Sequence, residues 1–109
     1  MSKKPDALQG TLDLLILKIL SCGPQHGYGI AACIETVTDD VLRVEEGSLY
    51  PALHRMEQSR VIAAKWQTTG NNRRARVYRI TAAGQRALGK EQEKWSSLTK
   101  AVAKVLRFA

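Results

Sequence analysis

Between residues 62 and 81 the apolar side chains leave helical spacing and begin to alternate. Ile62, Ala64 and Trp66 fall on one side and Ala63, Lys65 and Gln67 on the other, the two-residue period of a half-buried strand. Thr69-Gly70-Asn71-Asn72 then supplies residues that tolerate the left-handed backbone of a tight turn. Strand character resumes over 75–81, where Tyr78 and Ile80 are placed to meet Trp66 and Ile62 across a hairpin whose tip carries Arg73 and Arg74. A lone hairpin is marginal in water. The rest of the chain must therefore cover its apolar side.

That cover is helical. Leu8, Leu12, Leu15, Ile16 and Ile19 form a stripe with Asp13 and Lys18 off it, which predicts a helix over 8–20 that Cys22-Gly23-Pro24 ends. Over 28–37, Tyr28, Ile30, Ala31, Ile34 and Val37 mark the buried side of a second helix, closed by Thr38-Asp39-Asp40. Residues 41–44 form a short β-prone link. A third helix opens around Glu45-Glu46-Gly47-Ser48, with acids at its positive dipole end, and runs to about Ser59. At about 100° per residue, Leu49, Ala52, Leu53 and Met56 share its apolar side. Ser48, Pro51, His54, Arg55 and Gln58 share the other, with Tyr50 and Glu57 on the boundary. From Thr81 onward one long helix carries Leu88, Glu91, Trp95, Leu98, Val102, Val105 and Ala109 at alternating steps of three and four, a seam in which only Glu91 is not apolar.

Charge separates along this order. The 109 residues hold 17 Lys and Arg against 10 Asp and Glu, a formal net charge of +7. Residues 1–59 carry a net negative charge, whereas residues 60–90 hold Arg60, Lys65, Arg73, Arg74, Arg76, Arg79, Arg86 and Lys90 and no acid. An acid-free basic block around a hairpin is the electrostatic footprint of phosphate-backbone contact. The chain is too short for a two-domain enzyme with a cofactor cleft. No apolar run approaches the roughly 20 residues of a membrane span, and Lys3 and Lys4 precede no cleavage site of a secretory signal. The expected location is the cytoplasm, and Cys22 and Cys33, eleven residues apart among apolar neighbours, are expected as reduced core thiols.

The order helix, helix, short strand, helix, β-hairpin, long helix predicts a mostly α, α+β winged helix-turn-helix with a C-terminal dimerisation helix. Residues 1–80 form the DNA-binding part. Residues 81–109 form the dimerisation helix, packed with helix 8–21.

Four motifs in that order resemble the PadR family of bacterial transcriptional regulators, in its short form with a single C-terminal helix. Gly47-Ser48-Leu49-Tyr50-Pro51-Ala52-Leu53-His54-Arg55-Met56-Glu57 is similar to the family's recognition helix. Gly27-Tyr28-Gly29, Trp66 and Tyr78-Arg79-Ile80-Thr81-Ala82-Ala83-Gly84 match its neighbouring elements. The resemblance implies a homodimeric DNA-binding repressor responsive to a small molecule or stress signal. Glu45-Glu46 departs from it, since many members carry Ser or Thr and Pro before the glycine.

For DNA the candidates are Ser48, Tyr50 and Pro51 at the helix start, His54, Arg55 and Gln58 for base edges or phosphate, and Arg73, Arg74 and Arg76 on the wing. Their bland alternatives are an N-cap for Ser48, a solvated helix face and a solubilising hairpin tip. For dimerisation they are Leu88, Trp95, Leu98, Val102 and Val105. Trp95, Glu91 and Leu98 are candidates for a small aromatic effector, although Trp95 also needs no more explanation than an interface core. Three other patterns fail on context. Gly27-Tyr28-Gly29-Ile30-Ala31-Ala32 imitates a dinucleotide fingerprint but follows a helical period rather than a strand. Cys22, His26 and Cys33 lack zinc spacing. Ser48 and His54 lie more than about 100° apart on one helix, too far for a nucleophile and its base. No enzyme activity, cofactor or metal is expected. The alternative to a double-stranded DNA partner is a winged protein-interaction adaptor, which would have no use for a basic hairpin.

Overall fold

The structure, a computed structural model, describes residues 6–68 and 70–108, with side chains from residue 10 onward. Lys3, Lys4, the side chain of Leu8, Thr69 of the turn and Ala109 of the C-terminal seam lie outside the described residues. In chain order the elements are α1 (Asp6–Ser21), β1 (Gln25–His26), α2 (Gly27–Val37), α3 (Glu46–Gln58), β2 (Ile62–Thr68), β3 (Arg74–Ile80) and α4 (Ala82–Arg107). The fold is a winged helix: mostly helical, with a small antiparallel sheet in the order β1-β3-β2. Among the described residues no helix is long and apolar enough to cross a membrane.

One core serves the four helices and the hairpin. Ile16, Leu17 and Leu20 of α1, Ile30 and Ile34 of α2, Leu49, Leu53 and Met56 of α3, Ile62 and Tyr78 of the hairpin and Leu88 of α4 are buried together. On α1 the deepest residues are Leu14, Ile16, Leu17 and Leu20, while Leu12, Leu15 and Ile19 of the expected stripe are only partly buried. The helix is apolar on most of its circumference, so the stripe alone did not show which side is deepest. On α2, Tyr28 and Val37 stand exposed although the period placed them inward.

The third strand is not at 41–44. That stretch leaves α2 through Asp39 and Asp40, both in the left-handed region at φ 53° and 64°, where a short polar side chain tolerates the turn. Its amides bond side chains at the end of α2: Leu42 N–H donates to Oγ1 of Thr38, the C-cap, at 3.1 Å and Val44 N–H to Glu35 Oε2 at 2.9 Å. Gln25 and His26 pair with Tyr78 and Val77 instead. Two residues are too few to show a period. The hairpin itself pairs Ile62 with Ile80, as expected, but sets Tyr78 opposite Ala64 and Arg76 opposite Trp66.

The junction of hairpin and α4 is tight. Thr81 Oγ1 accepts from Gly84 N–H at 3.0 Å, capping α4, and donates to the Arg60 carbonyl at 2.8 Å. At Gly84 a Cβ would stand 2.1 Å from the Val61 carbonyl oxygen. Only glycine lets the helix come this close.

The thiols are not a buried pair. Cys22 is exposed and its Sγ reaches the Lys18 carbonyl at 3.7 Å, while Cys33 is half-buried. The apolar neighbours of Cys22 in sequence misled, because α1 ends at Ser21 and the turn that follows leaves Cys22 exposed. His26 lies in β1, stacked on Tyr28 with ring centroids 5.0 Å apart. Among the described residues no His, Cys, Asp or Glu side chains group in a metal-binding arrangement.

Candidate nucleic-acid interface

Helix α3 buries Leu49, Ala52, Leu53 and Met56, and the opposite side carries Ser48, Tyr50, Pro51, His54 and Gln58, all exposed. The helix has no side-chain cap: Glu45 precedes it in extended conformation without a side-chain bond to its amides. The first turn thus presents uncapped backbone donors beside two hydroxyls, but the exposed carboxylates of Glu45 and Glu46 stand at the same end and oppose an anion there. Tyr50 is seated over the start of α2, where a Cβ on Gly27 would lie 2.7 Å from its hydroxyl oxygen. A side chain at residue 27 would require the Tyr50 ring to move aside.

Two charged residues of α3, Arg55 and Glu57, are engaged within the fold, while Glu46 of its first turn is exposed. Arg55, half-buried, donates from Nη2 to Asp13 Oδ1 of α1 at 2.7 Å. Burial raises the Asp13 carboxyl above its ordinary value of 3.8; Arg55 opposes this, and Glu91 of α4 adds to it. Glu57 accepts from Arg76 Nη2 of β3. Asp13 and Glu57 were not among the candidates, and their pairing could not be read from spacing, since 42 residues separate Asp13 from Arg55. Beyond the exposed carboxylates of Glu45 and Glu46 at its start, the side of α3 turned away from the core is therefore neutral and hydrogen-bonding.

The wing is different. Arg73 and Arg74 are exposed beside the turn, where Asn72 takes φ 63°. Trp66 is 51% exposed, with the guanidinium carbons of Arg74 and Arg76 at 4.9 and 5.5 Å from the ring centroid. The expectation that Trp66 would meet Tyr78 fails because the register puts an arginine there.

Of the seam residues, Leu88 is buried in the chain's own core, and Trp95, Leu98, Val102 and Val105 are exposed along α4. Leu106, 78% exposed, extends this apolar side and was legible as the residue four after Val102; Phe108, 85% exposed, follows the end of α4 in extended conformation. Glu91, paired with Lys94 at 3.6 Å, joins Trp95 and Leu98 in lining a cavity of about 270 Å³ against Gly10, Thr11 and Leu14 of α1. An open groove of about 450 Å³ lies beside it along α1, sharing Thr11 and bounded by Leu12, Leu15, Leu42, Val44 and the start of α3.

Comparison with known proteins agrees with this arrangement. A transcriptional regulator from Clostridium thermocellum superposes with a TM-score of 0.83 at 30% identity, covering 92% of this chain and 97% of that one. A PadR-like transcriptional regulator from Bacillus cereus gives 0.80 at 26% identity, covering 96% of this chain and all of its own. A transcriptional regulator of Mycobacterium tuberculosis is 38% identical over 60 residues, 55% of each chain. The model of the Transcriptional regulator PadR-like family matches residues 16–90, from the middle of α1 through the wing into α4. These are regulators rather than enzymes. With more than half of its length matched and its fold shared over 92–96% of it, the chain belongs to the PadR-like family of transcriptional regulators.

Proposed function

We propose that the protein is a cytoplasmic DNA-binding repressor that engages a palindromic operator as a homodimer and is released by a small-molecule or stress signal. The observation that carries the reading is the pairing of an exposed, neutral hydrogen-bonding face on α3 with an exposed arginine tip on the wing beside it. In each half-site α3 enters the major groove, His54 and Gln58 meet base edges, and Ser48, Tyr50 and Pro51 approach the backbone at the helix start. Arg73 and Arg74 follow the adjacent minor groove or its phosphates. Arg76, tied to Glu57, supports the wing, and Arg55 secures α3 to α1 through Asp13.

Residues 1–80 are the reading part and residues 81–109 the assembly part. Trp95, Leu98, Val102 and Val105 leave an apolar side of α4 uncovered in the single chain, and a second copy of the same helix would cover it. Leu88 takes no part, because its own core already holds it. Trp95, Glu91 and Leu98 line a cavity against α1 beside that seam, the place for a planar aromatic effector. Rotation of paired α4 helices would change the spacing of two recognition helices, and spacing is what a palindrome tests.

Footprinting on duplex DNA tests the reading. Two protected half-sites about 10 bp apart, or a multiple of that, are expected; a single asymmetric site or binding only to single strands would refute it. Sedimentation of Leu98→Asp should show a folded monomer where the unsubstituted chain is a dimer. For the effector, planar aromatic compounds should quench Trp95 fluorescence and weaken DNA binding, and Trp95→Phe should abolish the quenching.

A further inference from the structure

We infer that Trp66 is a positioning residue for DNA binding: its ring holds Arg74 in the orientation with which the wing meets a duplex, and Arg76 and Glu57 tie that ring to the recognition helix. The inference rests on the DNA-binding reading above and adds to it a residue that makes no core contact of its own.

The register of the hairpin shows why the tryptophan is there. Side chains of one strand face alternate, so Ile62, Ala64, Trp66 and Thr68 of β2 share a side with Ile80, Tyr78, Arg76 and Arg74 of β3. At the base that side is core, with Ile62 and Tyr78 buried. Two residues further out the core has ended, and Trp66 is half exposed. A large apolar ring at that point meets no apolar partner across the ladder; it meets Arg76, with Arg74 on the diagonal. Both guanidinium carbons lie within cation–π distance.

The two arginines then divide their work. Arg76 is shared between the ring and the Glu57 carboxylate of α3, which links ring to recognition helix. Arg74 sits nearer the ring and stands next to the turn, and the ion pairs among the described residues do not include it. Stacking occupies the flat face of a guanidinium and leaves the N–H groups on its edge free to donate. An arginine held in this way loses less rotamer freedom when it meets a phosphate, while its charge and donors remain available. A lysine, with a compact charge and no flat face, could not be presented alike.

The test is a salt series of duplex titrations, read by anisotropy, with the full chain and the variants Trp66→Leu, Arg74→Ala, Arg74→Lys and the Trp66→Leu/Arg74→Ala double. Trp66→Leu should weaken binding to every duplex by about two- to fivefold, the size of an exposed cation–π contact. In the Arg74→Ala background the same change should cost nothing further. Arg74→Lys should lose about as much as Trp66→Leu while keeping the salt slope. If Trp66→Leu binds like the unsubstituted chain, or costs the same factor with and without Arg74, the inference is overturned; the second result would mean that the ring touches DNA itself or acts only on the fold. The upfield ring-current shift of the Arg74 δ protons, lost in Trp66→Leu, reads the stack without DNA. Its absence from the unsubstituted chain overturns the inference directly. Its presence in a chain that binds no duplex places the failure in the DNA-binding reading, and the positioning role falls with it.

Discussion

The recognition helix and the wing differ in what they do with charge. Helix α3 pairs two of its ionic residues within the molecule, Arg55 with Asp13 of α1 and Glu57 with Arg76 of β3, and turns hydroxyl, imidazole and amide groups to solvent, with the Glu46 carboxylate exposed at its first turn. The wing turns cations outward, Arg73 and Arg74, with an aromatic ring beneath one of them. Base edges are read by directional hydrogen bonds, whereas phosphates are attracted by charge whatever the sequence. Under the proposed function, the contrast would give discrimination to the helix and general affinity to the wing.

Removing the wing's charge should have the largest effect. Arg73→Ala with Arg74→Ala is expected to weaken binding to all duplexes by about 30-fold at physiological salt and to lower the salt slope by about two units, with sequence preference unchanged. Binding measured from low to high salt checks it, and an unchanged slope would contradict the assignment. On the helix, His54→Ala or Gln58→Ala should each cost about 1 kcal/mol, roughly fivefold, on the cognate operator alone and leave the slope as it was.

Glu57→Gln sharpens the comparison by blurring it. Freed from its carboxylate, Arg76 adds a cation beside α3, so binding to unrelated duplexes should tighten by about threefold and the preference for the operator should fall. The smallest effect concerns Asp13. Because burial raises its pKa above 3.8 in the folded chain, folding favours the protonated form. Stability that rests on the neutral carboxyl is present at low pH and lost as pH rises through the raised pKa. Asp13→Asn should remove this dependence from thermal melts above about pH 4 and change stability at neutral pH by less than about 1 kcal/mol. A steeper loss on acidification in the unsubstituted chain than in the variant would reverse the sign and the argument.

The sequence showed these two regions unequally. The buried and exposed sides of α3 follow from a helical repeat, a local property, and the structure places Leu49, Ala52, Leu53 and Met56 inside as the period requires. The hairpin was legible for the same reason, although its register was one pair off at Tyr78, since alternation fixes which face a residue takes but not its partner. Everything that joins distant segments was hidden. Asp13 and Arg55 meet only because α1 crosses α3, and Gln25 and His26 become a strand only because β3 offers them an edge. Cys22 failed through the end of a helix, which no repeat announces to within a residue.

The Thr81 and Gly84 junction has a mechanical consequence. One hydroxyl is bonded to two segments, and a carbonyl occupies the space where any other residue would carry a methyl group. Such a joint has no slack to act as a hinge, so α4 and the hairpin turn together like the two arms of a bell crank. At about 3.3 Å per residue, the seven residues of β3 make one arm roughly 23 Å long. A tilt of α4 by about 5° then carries the tip of the wing through about 2 Å, a displacement comparable to the difference between a made and a broken hydrogen bond.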